Sequence, residues 1–214
     1  MSKFSLVEFS VEHPRWVVFL TVLATLGFLA QFPKVQIDTN PKNMLPKTSD
    51  VRVFNDNVEK TFSLYEDMIV LGIVHEDGVL NRETLGRIQG LTDEILKLKG
   101  VASRDVSGFT TIDNVTLEGE TLKASPLMPE VPKTDAELEA FRKAVLGNPL
   151  FINRIISADG KATAVYVPLE KGANGKTIAD RIREIIRKET GREKYYVAGD
   201  PVARDPFGAE MFKL

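Results

Sequence analysis

The sequence predicts an α+β protein in which one apolar N-terminal helix precedes a domain of alternating strands and helices. Two observations carry this prediction. Residues 16–32 pass without one charged side chain, and beyond residue 50 short apolar runs of strand length alternate with segments of helical periodicity. The 214 residues are enough for the helix and one domain with its own core.

Residues 16–33 are predicted to form a transmembrane helix. A charge at the bilayer centre costs roughly 2.5 to 3.5 kcal/mol, so an uninterrupted uncharged run is what a spanning helix requires. At about 1.5 Å per residue the run comes close to a hydrocarbon core of about 30 Å. Three alternatives fit less well. A cleaved signal peptide needs a small-residue cleavage site, a soluble core helix usually has a polar stripe, and an interfacial helix needs a charged face.

The segments on either side of this helix have different patterns. Residues 1–15 mix apolar side chains with Glu8 and Glu12 and are predicted to lie along the membrane surface as an amphipathic segment. Residues 34–50 contain prolines and no sustained periodicity, so they are predicted to be an extended connector. The extramembrane domain is predicted over residues 51–211, with an insertion at 108–147.

The first half of the domain is predicted as helix, strand, helix and strand. Val51, Phe54, Val58 and Phe62 recur at the spacing of an amphipathic helix. The apolar run 68–74 predicts a central strand buried on both faces. Apolar positions over 85–98 predict a helix with Gly100 as its left-handed C-cap, and residues 101–106 are predicted to return as a strand near an edge.

The second half begins with the insertion, whose polar stretch 108–133 contains Pro126, Pro129 and Pro132. A long segment of this kind within a compact domain is usually functional or mobile. Thr134 or Asp135 can cap a following helix that ends at Gly147.

A hairpin, a helix and a strand are predicted to complete the domain. Asp159-Gly160 between the runs 151–157 and 162–167 predicts the hairpin, and a last helix precedes a last strand over 195–198. Strand, helix and strand therefore occur twice. This is the split βαβ order of a ferredoxin-like sandwich, with helices covering one face of an antiparallel sheet and one strand beyond the minimal number.

Composition excludes several classes of function. Lys and Arg number 28 against 30 Asp and Glu, for a formal net charge of −2, so nucleic acid is not an expected partner. The Cys count is zero, which removes disulfides, thiolate metal sites and a cysteine nucleophile.

No catalytic, cofactor-binding or metal-binding residue is predicted, no cofactor is expected, and substrate-binding residues stay unassigned. His13 and His75 are the two histidines, and they cannot build a common zinc site without cysteine. The acid pairs Glu76 with Asp77 and Asp200 with Asp205 are typical of solvated turns. Gly175-Lys176-Thr177 imitates the end of a phosphate-binding loop, but Glu170 occupies the position that needs glycine, so the segment is interpreted as a helix start.

The connector and its surroundings resemble a known family. His13-Pro14-Arg15, the apolar helix and residues 38–46 (Asp-Thr-Asn-Pro-Lys-Asn-Met-Leu-Pro) are similar to the beginning of resistance-nodulation-division (RND) transporters, in the MmpL-like and Patched-like group of exporters. Gly199-Asp200-Pro201-Val202 is similar to the segment that leads into their second transmembrane helix. Asn40 stands where an acid is usual, and Phe62-Ser63 where Phe-Gly is common.

This resemblance implies a ferredoxin-like porter domain on the extracytoplasmic or periplasmic side of a bacterial inner membrane. Residues 212–214 would begin a truncated second transmembrane helix. The acids of the proton relay lie in later helices of the family, so no coupling residue is assigned to this chain. The implied partners are the lipid bilayer, the remaining helices and second porter domain of the intact transporter, a hydrophobic or lipid substrate, and further copies in a homo-oligomer.

Two functions follow as hypotheses. The chain is the N-terminal part of a proton-driven RND-type exporter of lipids or other hydrophobic compounds, in which the insertion near 126–132 contacts neighbours or substrate. Alternatively, it is a membrane-tethered extracytoplasmic binding or adaptor module with no transport activity of its own. An enzyme is not predicted, because no nucleophile, base and metal set converges in the sequence.

Overall fold

The computed structural model describes residues 10–31, 41–62, 64–65, 67–118 and 121–204. The chain divides into two units, Met1–Asp38 and Thr39–Leu214. Most of the predicted surface segment 1–15, the first part of the predicted connector and the predicted second membrane segment at 212–214 lie outside the described residues.

The first unit contains helix α1 (Pro14–Leu29). Pro14 occupies its first turn, where the missing N–H has no partner to lose. Apolar side chains lie on all sides of α1 and are exposed, from Trp16 near its start to Phe28 near its end. The helix ends at Leu29, and residues 32–33 of the predicted span lie outside the described residues. Within the described part of the chain, no helix combines the length and the apolar character needed to cross a membrane.

The second unit is a mixed α+β domain, which confirms the predicted fold class at that level. Its helices are α2 (Pro41–Met44), α3 (Asp50–Phe62), α4 (Arg82–Ile95), α5 (Asp135–Leu146) and α6 (Gly175–Ile186). Its strands are β1 (Met68–Val74), β2 (Asp113–Glu118), β3 (Thr121–Pro126), β4 (Ala162–Pro168) and β5 (Lys194–Ala198). The main sheet has the order β4-β1-β5, and β1 is antiparallel to both neighbours.

One face of the main sheet forms the core. On β1 the side chains of Ile69, Leu71 and Ile73 are at most 1% exposed. Helices α4 and α6 follow β1 and β4 in the chain and contribute a second apolar layer to the same cluster, which includes Ile88 and Ile182. Alternate residues of a strand point to opposite faces, so one set of β1 side chains enters this core and the other does not.

The prediction that β1 is buried on both faces is wrong within the described residues. Val70, Gly72 and Val74 point away from the helices and are only partly buried. The continuous apolar run of β1 cannot distinguish a strand between two helical layers from a strand with one open apolar face, because both have the same composition.

The strand predicted over 101–106 is also wrong. A 3-10 helix occupies Ser103–Asp105, and only isolated bridges at Val101 and Ser107 reach the outer edge of β4. Ser103 turns the chain here, because its hydroxyl donates to the carbonyl oxygen of Leu96 at 2.8 Å. Such local side-chain to backbone bonds compete with strand pairing.

The first arm of the hairpin predicted over 151–167 begins as a series of turns, and only residues 155–157 pair antiparallel with β4. Asn153 has a φ of 59°, a left-handed conformation that a strand does not allow, and its N–H donates to the carbonyl oxygen of Ile156 at 2.7 Å. The turn itself lies where it was predicted, with Gly160 at a φ of 70° and its N–H bonded to the carbonyl oxygen of Ser157.

The predicted C-cap of α4 is wrong as well. The helix ends at Ile95 with Leu96 as C-cap, and Gly100 lies in the turn that follows, with a φ of 91°. Gly100 therefore has the predicted left-handed backbone but not the predicted place in the helix.

Residues 41–50 of the predicted connector are folded onto α3 rather than extended. Arg52 of α3 donates to the carbonyl oxygens of Lys42 and Leu45 at 2.9 and 2.7 Å, and Lys42 pairs with Asp56 and Glu59. These bonds leave the apolar side of α3 uncovered by the described residues: Val51, Phe54 and Phe62 are 69%, 72% and 68% exposed.

A buried carboxylate ties the start of β5 to α4. Glu193 is 7% exposed and accepts hydrogen bonds from Thr84 at 2.7 Å and Arg87 at 2.6 Å. Arg87 also pairs with Glu83 at 2.6 Å. Burial by itself would raise the pKa of Glu193, but the bonds from Thr84, its own backbone N–H and Arg87 outweigh burial and lower that pKa.

We expect Glu193→Gln to lower the free energy of unfolding at pH 7 by about 1.5 to 3 kcal/mol, the usual contribution of a hydrogen bond to a charged group. The folded pKa is depressed, so the stabilisation by Glu193 is present above its ordinary value of 4.5 and is lost as the pH falls through the folded pKa. The variant therefore loses less stability between pH 7 and 3 than the wild type. Urea unfolding followed by circular dichroism measures both effects.

Glu184→Gln is the matched control, because Glu184 makes an exposed pair with Arg181 on α6. Exposed pairs contribute little, so this variant should change stability by less than about 0.5 kcal/mol. Equal losses for the two variants would contradict the structural role of the Glu193 cluster.

Candidate functional site

The predicted insertion contains a second sheet of two strands, separate from the main sheet. Strands β2 and β3 form an antiparallel hairpin in register from Asp113 opposite Pro126 to Glu118 opposite Thr121. The chain then runs through the proline-bearing residues 126–132 into α5. The hairpin was not predicted, although alternating Val115, Leu117 and Leu122 around Gly119 are a recognisable sequence signal for one.

Helix α5 begins as predicted. The Thr134 hydroxyl accepts from the Glu137 N–H at 3.2 Å, and the Glu137 carboxylate accepts from the Thr134 N–H at 3.2 Å, which is a capping box. The helix then buries Phe141 and Val145. The ring of Phe141 meets Phe109 edge to face at a centroid distance of 5.5 Å, and this contact fixes α5 against the core.

A cleft of about 580 Å³ lies between α5, the end of the hairpin and the proline-bearing segment. Its lining is mainly apolar: Pro126, Leu127, Met128, Pro129, Val131, Pro132, Ala140, Phe141 and Ala144, with Asn114, Ser125, Glu130, Lys133 and Glu137 as the polar members. Met128 and Phe141 are 1% and 7% exposed and belong to the core cluster. Proline fixes the backbone angle φ, so Pro126, Pro129 and Pro132 restrict the conformations of residues 126–132 on this side of the cleft.

The charged groups of this cleft are already paired. Glu130 and Lys133 form an ion pair at 2.7 Å, and the Lys133 ammonium lowers the pKa of Glu130. Glu137 accepts from the backbone N–H groups of Lys133 and Thr134, which lower the pKa of Glu137. Mutually satisfied charges beside an apolar floor suit the binding of an apolar ligand more than that of an ion.

A second cleft, of about 690 Å³, lies between α3 and the chain after β4 and is lined mainly by charged residues. Lys42, Arg52, Asp56, Glu59, Lys60, Tyr65, Asp67, Glu170 and Lys171 contribute to its lining. Lys42 holds the pKa of Asp56 below its usual range, and the hydrogen bond from Tyr65 to Asp105 raises the pKa of Tyr65. This second cleft is dominated by charge pairs that connect α2 to α3.

The residues weighed for chemistry at the sequence level are dispersed. His75 accepts from the Asp77 N–H in a turn, and Glu76 pairs with Lys194 at 2.8 Å. Asp200 lies 3.9 Å from Arg204, and Asp205 lies outside the described residues. In the part of the chain that the structure describes, no group of three or more His, Cys, Asp or Glu could hold a metal ion.

Gly175-Lys176-Thr177 is a helix start, as interpreted from the sequence. The Asn174 side chain caps α6 by accepting from the Thr177 N–H at 3.0 Å. Gly175 has a steric reason to be glycine, because a Cβ there would lie 2.3 Å from Cβ of Pro201.

Comparison of the sequence with protein-family models and with curated proteins gives no match.

We expect Ala144→Trp to block the apolar cleft, because Ala144 lines it and the larger side chain would fill it. The probe is a photoreactive diazirine analogue of palmitate, and the readout is mass-spectrometric mapping of labelled peptides from residues 126–144. We expect the tryptophan to remove about 1.4 kcal/mol of apolar contact between the probe and the cleft, which raises the Kd of the probe about tenfold. Labelling at low probe concentration should fall by the same factor.

Ala136→Trp is the control on the same helix, because Ala136 is exposed and is not part of the lining. It should leave labelling of this cleft unchanged. Unchanged labelling in Ala144→Trp would show that the probe enters elsewhere.

Proposed function

We propose that this chain is the N-terminal part of a proton-driven RND-type exporter of lipids or other hydrophobic compounds. In this proposal α1 lies in a bacterial inner membrane and the second unit is an extracytoplasmic porter domain that guides substrate. The observation that carries the proposal is the apolar cleft beside α5, because Pro126, Pro129 and Ala140 in its lining are exposed and offer an unreactive surface for a hydrophobic compound.

The sheet supports a ferredoxin-like assignment of the porter domain. β1 lies between β4 and β5 and is antiparallel to both, and α4 and α6 connect the strands. The segment after α4 bridges Leu169 through Val101 and Tyr166 of β4 through Ser107, and in the proposal it stands for the remaining strand of a split βαβ sandwich. In the proposal this strand has been reduced to bridges on either side of the 3-10 helix.

Helix α1 has properties that suit a lipid environment. Exposure of side chains such as Phe19 and Leu23 to water is unfavourable by about 1.5 to 3 kcal/mol each relative to full burial. Its two threonine hydroxyls are satisfied internally, since Thr21 donates to the carbonyl oxygen of Val17 at 2.9 Å and Thr25 to that of Thr21 at 2.8 Å. Polar groups in a bilayer need such internal partners.

The exposed apolar side of α3 fits the same proposal. Val51, Phe54 and Phe62 would contact the remaining helices or the second porter domain of the intact exporter. An amphipathic helix with its polar side bonded inward and its apolar side open is typical of a surface that a partner covers.

Membrane insertion of α1 is tested by single-cysteine labelling, for which the chain is suited because it contains no cysteine. We expect Lys99→Cys, on the exposed surface of the domain, to react with a membrane-impermeant maleimide in intact spheroplasts. We expect Leu23→Cys in α1 to react only after the membrane is dissolved in detergent, because the bilayer would shield it. Reaction of both variants without detergent would contradict insertion, and reaction of Lys99→Cys only after lysis would contradict an extracytoplasmic domain.

The exporter assignment is tested by the intact mass of the native polypeptide extracted from membranes. A polypeptide several times larger than the 23.8 kDa of this sequence supports the exporter. A mass near 23.8 kDa contradicts it, because a single helix cannot enclose a path for a solute. Where the larger polypeptide is found, deletion of residues 110–131 should impair transport of its hydrophobic substrate.

A further inference from the structure

The two edges of the main sheet differ in how their backbone groups are satisfied. On the outer edge of β4, Tyr166 exchanges two hydrogen bonds with Ser107, at 2.9 and 2.8 Å. The carbonyl oxygens of Ala162 and Pro168 accept from Ser157 and Ala102, and the Ala164 N–H donates to Ile155. Loops therefore cover this edge along its whole length.

Among the described residues, none covers the outer edge of β5 in this way. The His75 N–H donates to the carbonyl oxygen of Lys161, and the Leu169 N–H donates to that of Asp67. In this register the backbone groups of the odd-numbered β1 residues therefore form hydrogen bonds with β4. The backbone groups of the even-numbered β1 residues form hydrogen bonds with Lys194, Tyr196 and Ala198 of β5 instead. It follows that the N–H and C=O groups of Tyr195 and Val197 point outward, where no described residue pairs with them.

Natural sheets usually block such an edge with proline, a bulge, inward-pointing charge or a covering segment. β5 is Lys-Tyr-Tyr-Val-Ala, and the register with β1 is continuous over all five residues. Its one charge, Lys194, is at the end of the strand and pairs with Glu76. The middle of β5 is therefore a regular, uncharged template for another strand.

A small cleft of about 250 Å³ opens beside this edge, between β5 and α6. It is lined by Arg183, Ile186, Arg187, Tyr195 and Val197. The hydroxyl of Tyr195 is buried and makes no hydrogen bond with any described residue. Burial raises the pKa of Tyr195 to about 12, so this hydroxyl remains a donor at neutral pH. Two guanidinium groups thus share this cleft with an apolar side, and that of Arg183 also pairs with Asp180 at 2.7 Å, while the buried Tyr195 hydroxyl is not exposed to the cleft.

We propose that the β5 edge binds an extended acidic segment of another protein, which adds to the main sheet as a new strand. The backbone of the segment pairs with the outward groups of Tyr195 and Val197. Because alternate side chains of the added strand point to the helix side of the sheet, an acidic side chain there enters the cleft and meets Arg183 and Arg187. The edge can bind such a strand whether or not α1 lies in a membrane.

A second copy of this chain is a less suitable occupant of the same edge. Two β5 strands related by a two-fold axis would place both α6 helices on the same side of a continuous sheet. Arg183 and Arg187 of the two copies would then approach one another across the axis, and like charges brought together oppose association. An acidic partner strand reverses the sign of this interaction.

The test uses the full chain in detergent micelles and a capped peptide in which glutamate alternates with valine. We expect the peptide to bind, and the amides of Tyr195 and Val197 to become protected from hydrogen exchange. Val197→Pro should weaken binding at least tenfold because it removes an outward N–H without removing a bond to β1, whereas Val197→Ala should stay within about threefold. Circular dichroism checks that both variants fold.

Charge variants keep the proposal testable if Val197→Pro does not fold. Arg187→Glu should weaken binding of the glutamate peptide and favour a peptide with lysine in its place, while Arg181→Glu, outside the cleft, should change neither.

Three results would overturn the proposal. One is the absence of protection at Tyr195 and Val197 at saturating peptide, and another is equal binding of the lysine and glutamate peptides by the wild type. The third is protection that appears without peptide as protein concentration rises, which would identify a second copy as the occupant.

Discussion

Strand β1 imposes the constraint on which the second unit depends. It is the only strand of the main sheet with a neighbour on each side among the described residues, and its core-facing side chains Ile69, Leu71 and Ile73 lie under α4 and α6. A one-residue slip of register would move all three to the open face and expose them to water. The positions of β4, β5 and both helices are therefore fixed together by the pairing of this one strand.

Polar bonds hold the elements that the apolar core does not reach. Glu193 joins the chain before β5 to α4, and Arg204 pairs with Asp67 at 2.9 Å to hold the residues after β5 against the start of β1. Arg52 and Lys42 do the same for α2 and α3. These contacts give a rigid frame around which the described residues leave three different surfaces open: the apolar cleft beside α5, the apolar side of α3 and the edge of β5.

Local patterns in the sequence predicted most helices and the central strand. The apolar periodicities of α3, α4 and α6, the Thr134 cap and the run of β1 all depend on neighbours within a few residues, and a pattern can report such neighbours directly. The two strand predictions that were wrong also have local causes, which composition does not report. Residues 101–106 and 151–157 have the composition of strands, but Ser103 and Asn153 bend the chain through bonds to nearby backbone groups. The cleft beside α5 was anticipated only as a proline-bearing insertion, because its walls come from three separate parts of the chain.

By itself the sequence determined the α+β class, the apolar character of α1, the start of α5 and the lack of cysteine chemistry. These properties follow from composition and from short-range spacing, which folding does not alter. Only the tertiary structure decided which face of β1 is covered. Within the part of the chain that it describes, it also decided that the apolar side of α3 remains open and that β4 has a covered edge while β5 does not. Each of these depends on which distant segments meet, since a strand's outward N–H and C=O groups are the same in every sequence and differ only in what lies beside them.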